Sequence, residues 1–315
     1  MASSLSYAAF HYGSDSELQR VGVWEVDTVA SEKSKYWIIY IHGGAWRDPR
    51  IDHKSFIPTI DAVISSQDEC KSSISGFASV DYRLSPHPGF PQDPEGTTPR
   101  DYRNAFHPDH IKDVWSALRS LQERYAFGSN YVLLGHSAGA TLALQLLMGS
   151  TALKGSAPPA DVALPAAIVG LEGIYDLQGL VDRLGPEYAA LFVGAFGDSS
   201  NWSDVSPMKF TKSFRSAWSE EHLVVLGWSP EDELIDRPEI EGMQKVLEKD
   251  NVNTLALTDL SGTHDGMWED GRPFAQVIRK TLNHLKSSGL SITRQSSQIF
   301  DNDEANNRQG RQWRL

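Results

Sequence analysis

The chain has 315 residues, 40% of them hydrophobic, enough for a large buried core. Its formal net charge of −12 opposes binding to nucleic acid or to an anionic membrane surface. A single cysteine, Cys70, excludes an internal disulfide, the first residues lack the basic and apolar stretches of a secretory signal, and no apolar run approaches the ~18 residues of a membrane span. The expectation is a cytoplasmic protein with neither a nucleic-acid nor a membrane partner.

In chain order, the alternation in Arg20-Val21-Gly22-Val23-Trp24-Glu25-Val26 predicts an early antiparallel edge strand. Tyr36 to Ile41 is an apolar run that reads as a buried strand, ending in His42-Gly43-Gly44-Ala45-Trp46. A helix is expected over 55–65 and a strand over 74–81. Prolines at 86, 88, 91, 94, 99 and 108 exclude helix from residues 85–108, through missing donors and ring clashes. That segment is either a passive surface insertion or a partial lid. Ile111, Val114, Trp115, Leu118 and Leu121 then mark one face of a helix reaching Tyr125.

Further on, Tyr131 to Leu134 reads as a buried strand, followed by Gly135-His136-Ser137-Ala138-Gly139 and an apolar helix from Thr141. A strand is expected over 166–171, and a helical region rich in aromatics over about 178–218, which reads as a cap insertion. Leu223 to Leu226 and Thr254 to Leu257 read as strands, and Phe274, Val277, Ile278, Leu282 and Leu285 define a last amphipathic helix. The polar residues 287–315 are expected to be a disordered tail, leaving 1–286 as one catalytic domain. No repeat stands out. His107 and His110 flank Pro108 and read as a helix start rather than a metal site, so neither a metal nor another cofactor is expected.

Gly135-His136-Ser137-Ala138-Gly139 is G-x-S-x-G between a strand and a helix, the setting in which a serine is held on a sharp, strained turn with its hydroxyl exposed. Side chains at the two glycine positions would collide with neighbouring elements. In an α/β-hydrolase the acid and then the histidine follow the serine in the chain. Three histidines lie after residue 137. His222 sits at the wrong end of its strand, and His284 is ordinary helix surface. His264, in a loop between the last strand and the last helix, is the expected general base. Asp232, just past the strand 223–226 and followed by Leu234 and Ile235, is the expected acid, with Glu231, Glu233 and Asp236 as rivals or solvated loop charges. An oxyanion needs main-chain donors, and the post-strand Gly43 and Gly44, with Ala138 after the serine, can supply them. The fold class that accommodates all of these is α/β: an α/β-hydrolase with a mostly parallel central sheet, helices on both faces, and a helical and loop cap insertion.

His42-Gly43-Gly44-Ala45-Trp46-Arg47-Asp48-Pro49 resembles the H-G-G-x-W motif of kynurenine formamidases (arylformamidases), of the fungal type. Asp81-Tyr82-Arg83-Leu84-Ser85-Pro86, Gly135 to Thr141, Leu171-Glu172-Gly173-Ile174-Tyr175-Asp176-Leu177 and the Asp232-Glu233-Leu234 stretch resemble other segments of that family. The resemblance covers roughly residues 35 to 285, and the insertion at 87–107 is longer than the family's usual connection. It implies hydrolysis of N-formyl-L-kynurenine to L-kynurenine and formate by a Ser-His-Asp triad, in tryptophan catabolism toward NAD. Trp46 and Tyr175 would either flank the substrate's aromatic ring or pack beneath the site. The HGG and Y-R-L-x-P elements also occur in hormone-sensitive-lipase-like esterases, so a small-acyl carboxylesterase is the alternative. A catalytically silent binding protein is the third reading, opposed by the presence of both Ser137 and His264. The expected partner is a small-molecule substrate, and a homodimer stays open.

Overall fold

Strand residues alternate between two cores. In β3 (Tyr36–Ile41), Ile39 and Ile41 join one apolar cluster, while Ile38 and Tyr40 join another across the sheet. The same split recurs in β5 (Tyr131–His136), where Leu133 faces the first cluster and Val132 and Leu134 the second. Both faces are therefore covered, as a parallel sheet requires. The computed structural model describes residues 5–26, 35–67, 69–218 and 222–288, and the expected disordered tail lies outside them from residue 289 onward.

The other strands are β1 (Leu5–His11), β2 (Arg20–Val26), β4 (Ile74–Val80), β6 (Ala167–Leu171), β7 (Leu223–Gly227) and β8 (Thr254–Leu257), and all eight form one sheet in the order β1-β2-β4-β3-β5-β6-β7-β8. β2 pairs antiparallel with β1 and β4, and every later pairing is parallel. Arg20–Val26 is thus antiparallel, but it is not an edge: β1 takes the edge, registered Leu5 to Val26 through His11 to Arg20. The alternation that suggested a half-exposed strand comes instead from small and apolar residues packed on both sides, with Val21 to Trp24 all buried.

The first core is covered by α2 (Asp109–Tyr125), α3 (Ala138–Met148), α4 (Leu177–Leu184), α5 (Ala189–Phe196), α6 (Trp202–Val205) and α7 (Arg237–Lys249). The second is covered by α1 (Ile57–Ser65), α8 (His264–Asp270) and α9 (Arg272–Ser287). α2 buries Ile111, Val114, Trp115, Leu118 and Leu121 together. α3 is buried along its whole length, which fits a helix that is apolar all round. Between β6 and β7, α4 to α6 carry Phe192, Phe196 and Trp202 inward, so these aromatics are core. The proline-rich segment is closed at its base by the Ala105 N–H donating to the Leu84 carbonyl, and it is tied to α5 by the His107 N–H donating to the Ala195 carbonyl. No helix among the described residues is long and apolar enough to cross a membrane.

Candidate active site

Four neighbouring parallel strands, β4, β3, β5 and β6, together with β7, end on the same side of the sheet. The segments that follow them carry Asp81–Tyr82, His42–Gly44, Ser137, Glu172 and Asp232. In open α/β sheets this carboxyl edge is where ligands bind.

Ser137 lies between β5 and α3 at φ 53°, ψ −121°, a left-handed conformation that a serine adopts only under constraint. Its N–H donates to the Leu171 carbonyl at the end of β6, and its own carbonyl accepts from Ala140 N–H. The flanking glycines are required sterically. A Cβ on Gly135 would overlap the Gly139 carbonyl, and one on Gly139 would overlap the Ile41 carbonyl of β3. Main chain meets main chain at both points, and neither side can yield.

The turn after β3 is shaped by Tyr82. Its hydroxyl lies 3.1 Å from both the His42 and the Gly43 carbonyl oxygens, and His42 Nδ1 is 2.9 Å from the Gly43 carbonyl. A peptide unit is planar and trans, so holding these two carbonyls toward Tyr82 turns the N–H groups of Gly43 and Gly44 the opposite way. Gly43 is packed against the serine: a Cβ there would sit 3.1 Å from Ser137 Cβ and 3.0 Å from His136 Nδ1. Gly44 has φ +88°, and its carbonyl accepts from the N–H groups of Arg47 and Asp48. The His42 ring stacks on Tyr82 with centroids 4.6 Å apart. Behind it, buried Asp81 accepts from Arg20 and sits 2.8 Å from His53 Nδ1. Burial opposes the Asp81 charge, but His53, His42 and Arg20 outweigh it and hold the carboxyl below the usual carboxylate range.

His264 opens α8 instead of lying in a loop, because Thr263 caps the helix by accepting from the Gly266 N–H. Its Nδ1 is 3.0 Å from Asp232 Oδ2. Asp232 Oδ1 meanwhile accepts from the N–H groups of Leu234 and Ile235, which fixes the loop around it. The neighbouring acids have other partners. Glu231 accepts from the Gly262 N–H, Glu233 accepts from the His264 N–H, and Asp236 pairs with Arg183.

Two residues that sequence reasoning left unassigned complete the cluster. Glu172, immediately after β6, is fully buried, and its Oε2 is 3.3 Å from His136 Nε2 and 3.5 Å from His264 Nδ1. The rings of His136 and His264 have centroids 4.6 Å apart. Burial first, and then the electrostatic influence of the neighbouring His264 ring, push the His136 ring well below the ordinary imidazole range. One signal for Glu172 was present in the sequence: a carboxylate ending the apolar run Ala167 to Leu171 at the edge where ligands bind.

His136, Glu172 and His264 are also the one group among the described residues with metal-ligand chemistry, their donor atoms lying within 4.8 Å of one another. Local sequence spacing could not show this, because the three come from the end of β5, the residue after β6 and the start of α8. Their near atoms already face one another and Asp232, so the group is a hydrogen-bonded network, and no metal is needed to account for its geometry.

Trp46 and Tyr175 are both fully buried. Trp46 packs edge-on against Phe196, with centroids 4.8 Å apart, and against Phe192 of α5. Tyr175 occupies the space left by Gly170 and Gly173, where a Cβ would overlap its ring or hydroxyl. Of the two roles open to these rings, their positions match packing beneath the site. The surface nearby is different. Arg47, His87, Phe90, Tyr102, Arg103 and Val193 are among the residues lining a cavity of about 590 Å³ between the proline-rich segment and α5.

No family model matches the chain. Among individual proteins, it is 36% identical over 264 residues to the kynurenine formamidase-like hydrolase fscH of Fusarium equiseti, across 81% of this chain and 86% of that one. It is 37% identical over 270 residues to the kynurenine formamidase avaC of Aspergillus versicolor, across 79% of this chain and 89% of that one. Among solved structures, esterase B of Lactobacillus rhamnosis superposes with a TM-score of 0.64 at 15% identity, covering 96% of this chain and 89% of that one, which establishes a shared fold. With that fold, and with relatives of this identity along most of its length, the chain belongs to the kynurenine formamidase family of α/β-hydrolases.

Proposed function

We propose that this protein hydrolyses N-formyl-L-kynurenine to L-kynurenine and formate, in tryptophan catabolism, with Ser137 as nucleophile, His264 as base and Asp232 as the acid that orients it. The observation that carries the mechanism is the 3.0 Å contact from His264 Nδ1 to Asp232 Oδ2 on the same sheet edge as the strained Ser137. With Nδ1–H given to Asp232, Nε2 is the nitrogen left to take the serine proton. The formyl carbonyl carries only hydrogen and is unhindered. Its nitrogen is an aryl amine whose lone pair is shared with the ring, so the amide is weaker than a peptide.

Ser137 Oγ attacks the formyl carbon, and Nε2 of His264 takes the Oγ proton. The N–H groups of Gly43, Gly44 and Ala138 receive the oxyanion, each donor of this kind being worth on the order of 10²–10³ in rate. His264 then passes its proton to the departing aniline nitrogen, leaving a formyl-enzyme. Water, deprotonated by His264, releases formate and restores the serine.

The test is kcat/KM on N-formyl-L-kynurenine beside p-nitrophenyl acetate, for the wild type and Ser137→Ala. A preference for the formamide that disappears in the variant is the expected result. A preference for the ester would keep the nucleophile and reassign the protein as a small-acyl esterase. Undiminished turnover by Ser137→Ala would remove the mechanism.

A further inference from the structure

A second carboxyl group stands beside Asp232, and its role rests on the roles of Ser137, His264 and Asp232 proposed above. Leu171 at the end of β6 is registered with Gly227 at the end of β7, and the Glu172 N–H donates to the Gly227 carbonyl. This fixes the residue after β6 beside the loop after β7, where Asp232 lies. Glu172 is held there at φ 49°, in the left-handed region, with no exposed surface. Two carboxyl groups thus converge on one imidazole nitrogen: Asp232 Oδ2 at 3.0 Å and Glu172 Oε2 at 3.5 Å from His264 Nδ1.

Two carboxylates this close and this deeply buried cannot both keep a charge, so one carries a proton. The surroundings decide which. Asp232 accepts three N–H bonds, from Leu234, Ile235 and His264. Glu172 faces His136 from the end of β5, Asp232 and Glu233 from the loop after β7, and His264 from α8; the Ser229 N–H alone favours its charged form, and among the described residues its Oε1 makes no hydrogen bond of ordinary geometry. Ionised, Glu172 would set that one N–H against its burial and the charge of Asp232, leaving a buried oxygen poorly satisfied. Protonated, the Glu172 carboxyl becomes a donor, with the Asp232 carboxylate as the acceptor beside it. Burial, and after it the Asp232 charge, push the Glu172 carboxyl up to about 10, in the same direction.

We propose that Glu172 is a positioning residue of this site: a neutral carboxylic acid that donates to Asp232 and takes over as the partner of His264 when Asp232 loses its charge. The exchange is symmetrical in hydrogen bonds. In the wild type, Glu172–OH donates to the Asp232 carboxylate, which accepts Nδ1–H of His264. In Asp232→Asn, the new amide donates to Glu172. Glu172 releases its proton to solvent, and its Oε2 accepts the same Nδ1–H. The correct histidine tautomer survives, although the acid has changed strand.

The experiment measures kcat as a function of pH for the wild type, Asp232→Asn, Glu172→Gln and the double variant, with Ser137→Ala as control. Loss of the only orienting acid in a triad costs about 10⁴ in kcat. Asp232→Asn is expected to lose only about 10–10², because Glu172 replaces it, and Glu172→Gln several-fold. The double variant, left without a carboxylate, is expected to fall to about the full 10⁴. The acid limb of the Asp232→Asn profile is expected to move to higher pH. The active species there needs Glu172 without its proton, and burial alone keeps that proton on longer; a purely structural role for Glu172 would not move the limb. The profile needs one isosteric substitution and decides the matter even if the double variant does not fold. An Asp232→Asn loss of about 10⁴, unaltered by adding Glu172→Gln and with no shift of the acid limb, would overturn the proposal and leave the triad standing. Full turnover by Ser137→Ala would instead overturn the reading beneath it.

Discussion

Gly139 and Gly194 both lie in helices that border the site, and they show how differently its floor and its rim are built. A Cβ on Gly139, in α3, would overlap the Ile41 carbonyl of β3. A Cβ on Gly194, in α5, would lie 3.5 Å from the Pro86 carbonyl, an ordinary contact. The floor is main chain against main chain, with Ser137, His264, Glu172 and Tyr82 all at most 6% exposed. The rim is made of side chains that meet solvent, with Val193 at 52%, Leu234 at 42% and Phe90 at 37% exposed. Chemistry that needs placement to a fraction of an ångström belongs on the packed strand ends, and selection among substrates belongs on the exposed side chains above them.

The largest effect should come from the centre of the floor. Ser137→Ala is expected to lower kcat by about 10⁵–10⁶, as removal of a triad serine does, with the fold unchanged because the alanine fits the same turn. A loss below about 10² would mean the strained turn serves packing rather than attack. Gly139→Ala comes next, through stability. The added methyl meets a strand carbonyl that cannot move without breaking the β3–β5 pairing, so a loss of about 3 kcal/mol or more is expected, lowering Tm by on the order of 10 °C. A melt within about 2 °C of the wild type would show that the floor is softer than its contacts imply.

How much of this was legible in the sequence follows the same division. Ser137 could be found because its signal is local: two glycines and a serine between apolar runs. His42 to Gly44 could be found for the same reason. The partnership of Glu172 with Asp232 could not, because it depends on β6 and β7 being neighbours in register, which no local pattern encodes. The helical start at His264 is hard to see in the sequence, because a single capping threonine decides between loop and helix. β2 looks like an edge in the sequence because nothing in the exposed, weakly patterned Leu5–His11 announces the strand beyond it. Trp46 and Tyr175 were ambiguous for a related reason: an aromatic residue beside a motif looks the same in sequence whether it lines a pocket or fills the space below it.

Tyr82 links the two halves of the floor and gives an intermediate effect. Tyr82→Phe removes a hydroxyl of a fully buried residue, 3.1 Å from the carbonyls of His42 and Gly43. His42 Nδ1 still holds the Gly43 carbonyl at 2.9 Å, so the turn is loosened rather than lost. If the N–H groups of Gly43 and Gly44 act only on the developing oxyanion, kcat should fall about tenfold while KM stays within about twofold. An unchanged kcat would reduce Tyr82 to a packing residue.

Gly194→Ala tests the rim and carries the smallest expected change. Its position in α5 is helical, and alanine there removes about 0.5–1 kcal/mol of backbone entropy cost that glycine imposes on a helix. Its methyl enters the cavity of about 590 Å³ between α5 and the proline-rich segment, 3.5 Å from the Pro86 carbonyl. The same change that is ruinous at Gly139 should therefore raise Tm by about 1–3 °C here. If this cavity admits part of the substrate, the narrowing should raise KM for substrates with larger acyl or aryl groups and leave kcat alone, because nothing on the floor has moved. A fall in kcat with KM unchanged would mean that α5 transmits its position to the strand ends, and the separation of a rigid floor from a permissive rim would not hold.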